Sequence, residues 1–188
     1  SFLDAEELEV HALAAAPDGG LYVGTSPDGK IYKVDAKGAS RVHFDPADKY
    51  IWSLAVDKAG NVFAATGDKG VVYKIAPDGT AAPFYATRAT HAISLAFDRE
   101  DRLLVGTESP GRVFQVDATG KPFVLLDSPF NDIHSIPVDP KGVIYATALS
   151  GRQPSEERAP VRITPEPPPP SVPPVSAELT AITIAGLS

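Results

Sequence analysis

The chain has 188 residues, 43% of them hydrophobic, with a formal charge of −7 and a pI near 5.0; a globular chain of that size buries roughly 70% of its unfolded surface. No run approaches the ~18 apolar residues of a membrane-spanning helix, and the acidic balance disfavours nucleic acid and anionic lipid, since either wants a basic face. The absence of cysteine removes disulfides, thiolate metal ligands and thiol nucleophiles, and leaves the redox compartment open.

In chain order, the apolar pattern has period two in short runs, which predicts strands. Ser1 to Asp4 align with His43 to Asp45 and read as the end of an outer strand from a preceding unit. Strands are predicted at Val10–Ala15, Leu21–Thr25, Ile31–Asp35 and around Arg41–Phe44, then at Ile51–Val56, Asn61–Thr66, Val71–Ala76 and Ala81–Ala86. A third set occupies Ala92 to Asp127, and Ile133–Val138 and Val143–Thr147 begin a fourth. Turn signals separate the strands, such as Asp57-Lys58-Ala59-Gly60 and Pro77-Asp78-Gly79, where Gly supplies positive φ, Pro fixes φ and Asp bonds its own backbone. Asp101 replaces the Gly of the first hairpin in the third set, which Asp tolerates because it visits the left-handed region.

The sets repeat at a fixed step. Thr25, Thr66 and Thr107 lie 41 residues apart, and so do Leu13, Leu54, Leu95 and Ile136, and Tyr32, Tyr73 and Phe114. A self-similar period near 40 residues marks a repeat architecture. Four antiparallel strands per repeat, with tight hairpins inside it, describe an all-β propeller blade. The expected organisation is 1–9 as the end of a preceding blade, 10–50, 51–91 and 92–132 as whole blades, and 133–148 as the first two strands of a further one. Nine of the nineteen prolines fall between Pro154 and Pro174, so 149–176 reads as an extended insertion. Val161–Thr164 is a weak third-strand candidate, and 177–188 is a candidate strand in a blade whose remaining strands are expected beyond the chain. Rings of this type use about four to eight blades, and open sheet edges invite association. The expectation is therefore a piece of a longer protein, or partial rings that complete one another in an oligomer.

The repeat LAVDKAGNVFAAT resembles the NHL and gluconolactonase-type repeat. YVGTSPDGKIYKVDAKG resembles equally the quinoprotein-type repeat of pyrroloquinoline-quinone dehydrogenases and of bacterial outer-membrane assembly lipoproteins. No blade ends with the Trp of the quinoprotein docking pattern, the Gly-His and Trp-Asp pairs of WD repeats are absent, and Thr25, Thr66 and Thr107 stand where NHL repeats often carry Asp. The resemblance implies a fold, and it inclines towards an extracytoplasmic location; function must be argued from a site.

Loops on a rigid scaffold are the usual place for binding groups. The repeat puts Glu9, Tyr50, His91 and Asp132 in one column at the mouth of the inner strands. Converging Glu9, His91 and Asp132 would offer a divalent cation oxygen and imidazole ligands, and gluconolactonase-like propellers hold a channel metal. The plainer reading is that strand ends are wet and polar without any ligand. His11 and His134 lie two residues further along and point the same way by strand alternation. Trp52, the only tryptophan, is either a stacking platform or a filler at the position of His11, Ile93 and His134. Thr25, Thr66 and Thr107 recur as structural residues, and Asp57, Asp98 and Asp139 as turn residues.

Two function classes remain. The first is a non-enzymatic scaffold that binds a protein, peptide or glycan on its loop face, through Tyr50, Trp52, His11 and His134, without a cofactor. The second is a lactonase or phosphotriesterase-like hydrolase with a channel metal polarising a carbonyl or phosphoryl oxygen. Few unique polar residues favour the first.

Overall fold

A computed structural model describes residues 9–150 and the backbone of Thr180–Ile184. The expectations for Ser1–Asp4, for Val161–Thr164 and for the proline-rich insertion from 151 onward lie outside the described residues. All regular structure described is antiparallel strand. Blade one comprises β1 (Glu9–Ala15), β2 (Leu21–Ser26), β3 (Ile31–Val34) and β4 (Ser40–Phe44). Blade two comprises β5 (Ile51–Val56), β6 (Val62–Thr66), β7 (Val71–Ile75) and β8 (Ala81–Ala86). Blade three comprises β9 (His91–Phe97), β10 (Leu103–Glu108), β11 (Arg112–Val116) and β12 (Pro122–Asp127). In blades one and two each strand pairs with the next in sequence, the hairpin meander that the turn spacing predicts.

Blade four holds β13 (Asp132–Ser135), β14 (Ile144–Leu149) and β15 (Thr180–Ile184). Strand β13 is shorter than the expected Ile133–Val138: Pro137 has no N–H for a ladder, and Val138 keeps only an isolated bridge to Ile144. The tail strand pairs with β14 from Ile144↔Ile184 to Ala148↔Thr180. It thus takes the third-strand place that had been expected to lie beyond the chain.

The hairpins form as their side chains dictate. Asp57 Oδ1 accepts the N–H groups of Ala59 and Asn61, at 3.0 and 2.8 Å. Asp98 and Asp139 repeat the arrangement with Glu100 and Arg102, and with Lys141 and Val143. Asp101 adopts φ 59°, beside 84° for its counterpart Gly60, as expected of the one side chain standing in for glycine there. Thr25 and Thr66 each donate to a backbone carbonyl five residues on, that of Lys30 or Val71, which ties β2 to β3 and β6 to β7.

The core lies between blades. Ile31 and Tyr22 of blade one pack with Ile51, Leu54, Val62 and Ile75 of blade two. Phe63 and Val72 pack with Leu103, Val105 and Phe114, and Leu104 and Val113 with Ile133, Ile136 and Ala146. The face of each blade that looks back along the chain is thus covered by its predecessor. On blade one the corresponding positions Val10, Leu13 and Leu21 are 50%, 62% and 40% exposed, against 0%, 8% and 0% for Ile51, Leu54 and Val62.

Candidate functional site: a cleft lined by the bulged column

Each inner strand carries a β-bulge at the same step of the repeat. The β1–β2 ladder runs Val10↔Thr25 then Ala12↔Gly24, leaving His11 unpaired. The β5–β6 ladder skips Trp52 between Ile51 and Ser53, β9–β10 skips Ile93 between Ala92 and Ser94, and β13–β14 skips His134 between Ile133 and Ser135. A bulge inserts one residue, bends the strand and re-aims a side chain, and such features concentrate next to functional sites. His11 nevertheless meets Glu9 at 2.8 Å and His134 shares the cleft wall with Asp132, so each imidazole lies on the same side as the carboxylate two residues before it, although the extra residue interrupts the ladder between them.

The four bulged residues share a cleft of about 650 Å³, whose wall also includes Ser94, Glu108, Asp132 and Ser135. That volume sits inside the ~300–1,000 Å³ range of small-ligand sites. His11 and Trp52 stand with ring centroids 5.0 Å apart, Tyr50 stacks on Trp52 at 5.5 Å and 17°, and His91 meets Trp52 edge-on at 5.9 Å. Trp52 is therefore part of an aromatic cluster that spans three blades. Gly67 leaves room for it: a Cβ there would lie 3.0 Å from Trp52 Nε1, 3.1 Å from Tyr50 Cδ2 and 3.2 Å from His91 Nδ1. Tyr50 reaches its place with φ 62°, a left-handed conformation that is costly for a bulky side chain and is typical of functional sites.

The column proposed as metal ligands is distributed differently. Glu9 pairs with His11, Oε2 to Nε2 at 2.8 Å, and His91 Nδ1 accepts the Asp68 N–H at 3.0 Å. Asp132 sits against Glu108 in the one ladder pair between β10 and β13. Among the described residues no three His, Asp or Glu side chains are gathered to hold a metal ion, so Glu9, His91 and Asp132 are not brought together.

Burial raises the Asp132 carboxyl above the usual range, the Glu108 charge adds to the rise, and His134 opposes it. Asp132 Oδ1 is buried without a hydrogen-bond partner.

Serines frame the same cleft. Ser53 Oγ accepts the Leu95 N–H at 3.1 Å, and Ser94 Oγ donates to the Ile133 carbonyl at 2.8 Å. These bonds tie successive inner strands together beneath the bulged residues. Ser53, Ser94 and Ser135 recur at the 41-residue step, a signal present in the sequence itself. Glu108 had none, because the equivalent positions are Ser26, Gly67 and Leu149.

No family model matches the chain and no curated protein matches it by sequence. Solved structures do match in shape. Virginiamycin B lyase from Staphylococcus aureus aligns with a TM-score of 0.69 at 11% identity, over 86% of this chain and 59% of that one. The nidogen/laminin complex aligns at 0.68 and 13%, over 78% and 59%. A protein of unknown function from Bacteroides caccae aligns at 0.64 and 16%, over 80% and 60%. The chain is a partial β-propeller. It spans about three fifths of the length of these propellers, with three four-stranded blades and a three-stranded fourth among its described residues.

Proposed function

We propose that this partial propeller is a binding scaffold, and that its ligand, a segment of a partner protein, a peptide or a glycan, docks in the cleft lined by His11, Trp52, Ile93 and His134. The observation that carries the reading is the bulge repeated in all four inner strands, which delivers one side chain per blade to one cleft. Three of those four side chains are aromatic or imidazole rings, and rings supply large contact area at small entropic cost. The remaining polar groups of the wall suit orientation of a ligand better than bond cleavage, since among the described residues no hydroxyl there is paired with a base: Ser53 and Ser94 are held by backbone groups and Ser135 by Thr147. A similar fold solved as a complex of nidogen with laminin is in keeping with protein binding.

Peptide and glycan arrays probed with the wild-type chain and with Trp52→Ala test the proposal. The expected result is a set of ligands retained by the wild type and lost by the variant at equal thermal stability. Ligands retained equally by both would overturn it.

A further inference from the structure

The chemistry of the wall narrows the ligand, and this step rests on the cleft being a binding site. Glu108 and Asp132 lie opposite each other in the one backbone pair between β10 and β13, and both line the cleft. Among the described residues neither carboxyl forms an ion pair with a Lys or Arg, although six such pairs link other residues. One oxygen of Asp132, Oδ1, is wholly buried and accepts no hydrogen bond, which is costly for a carboxylate and uncommon in native proteins. The aspartates of three inner hairpins are satisfied by contrast: Asp57, Asp98 and Asp139 accept two backbone N–H groups each. The facing basic groups are the imidazoles: His134, two residues from Asp132, and His11, already paired with Glu9. The same cleft contains the Trp52 ring, beside the apolar side chains of Ile93, Leu95 and Ile136.

An unpartnered buried carboxylate oxygen, a second carboxylate at its side and an aromatic ring in one cleft meet the needs of a cation that donates hydrogen bonds. The carboxylates take the N–H donors, and the indole takes the charge on its face and the alkyl stem on its edge. We infer that the cleft recognises a cationic side chain, the ammonium of lysine or the guanidinium of arginine, with Asp132 and Glu108 holding the charged head and Trp52 flanking it. Glycans and acidic peptides lack the charge that this pair of carboxylates leaves open.

Because Trp52 is the only tryptophan, its fluorescence reads the cleft directly. The full chain is titrated with the N-acetyl methylamides of lysine, arginine and glutamate and with methyl glucoside, and repeated with Asp132→Asn and Glu108→Gln after both variants are shown to melt cooperatively. The expected result is a saturable response to lysine or arginine amide, which of the two names the head group. Asp132→Asn should weaken that response at least tenfold, the loss of one charge-assisted bond, and Glu108→Gln by a smaller factor. A response to the glutamate amide or the glucoside equal to that of the cations overturns the inference but leaves the cleft as a ligand site. Cation affinity unchanged within twofold in both variants overturns the carboxylate assignment, and silence with all four probes overturns the inference as a whole.

Discussion

The His43 ring stands 5.0 Å from Tyr22, one blade earlier than the contact in which Phe84 meets Phe63 at 5.1 Å. The positions are equivalent: His43 and Phe84 are both skipped in the ladder between the third and fourth strands of their blades. His43 is nevertheless buried with neither ring nitrogen hydrogen-bonded. Burial, with the charges of Arg41 and Lys33 in support, holds its pKa below the ordinary 6.5. The unfolded chain therefore binds this proton first, and stability falls as pH drops from 6.5 towards the lower native value. His43→Phe restores the ring pair of blade two and removes two unpaired nitrogens. It should stabilise the chain by about 1–2 kcal/mol at neutral pH, and by more at pH 5.5, as read by urea unfolding at the two pH values.

Leu13 and Leu54 are the same residue of the repeat in two surroundings, one 62% exposed on the uncovered face of blade one and the other 8% exposed between blades. Leu54→Ala should cost about 2–4 kcal/mol, the loss of a packed side chain plus the cavity it leaves. Leu13→Ala should fall within about 0.5 kcal/mol of the parent. Equal losses in denaturant unfolding would mean that Leu13 is covered in solution.

Asp132 gives a pH signature of the opposite sense to an ordinary surface carboxylate. Its native pKa is raised, chiefly by burial, so its contribution to stability is present below the unfolded value of 3.8 and is lost as pH rises through the native value. Asp132→Asn should therefore melt higher than the parent at pH 7, with the gap closing as both are brought to pH 3.5. A gap that widens on acidification would contradict the burial of this carboxyl.

The metal-dependent hydrolase reading needs Glu9, His91 and Asp132 to converge, whereas Glu9 is engaged by His11 and His91 by the Asp68 amide. Calcium or zinc at millimolar concentration should leave the melting temperature of the parent and of His91→Ala equally unchanged. Stabilisation of the parent that His91→Ala abolishes would restore that reading.

The blade was legible in the sequence because its determinants are local. Asp57, Asp98 and Asp139 make their own turns, and the short apolar runs lie between such turns, so strands β5 and β8 fall at the residues predicted. The bulges were not legible, because a bulge is a property of a pair of strands: nothing in Ile51-Trp52-Ser53 shows that Thr66 and Ala65 will pair on either side of Trp52. The cleft followed from the bulges, and so the roles of Ser94 and Glu108 stayed hidden. The tail, 177–188, was a candidate strand, and Thr180–Ile184 is one, but its partner β14 lies across the proline-rich stretch, a distance over which sequence pattern carries no register.

Backbone amide shift mapping with a ligand retained by the arrays is the most direct test of the bulged column as the binding surface. The account predicts the largest shifts at His11, Trp52, Ile93, His134 and the neighbouring Asp132. Shifts centred instead on the hairpins at Asp57, Asp98 and Asp139, or on the outer strands, would contradict it.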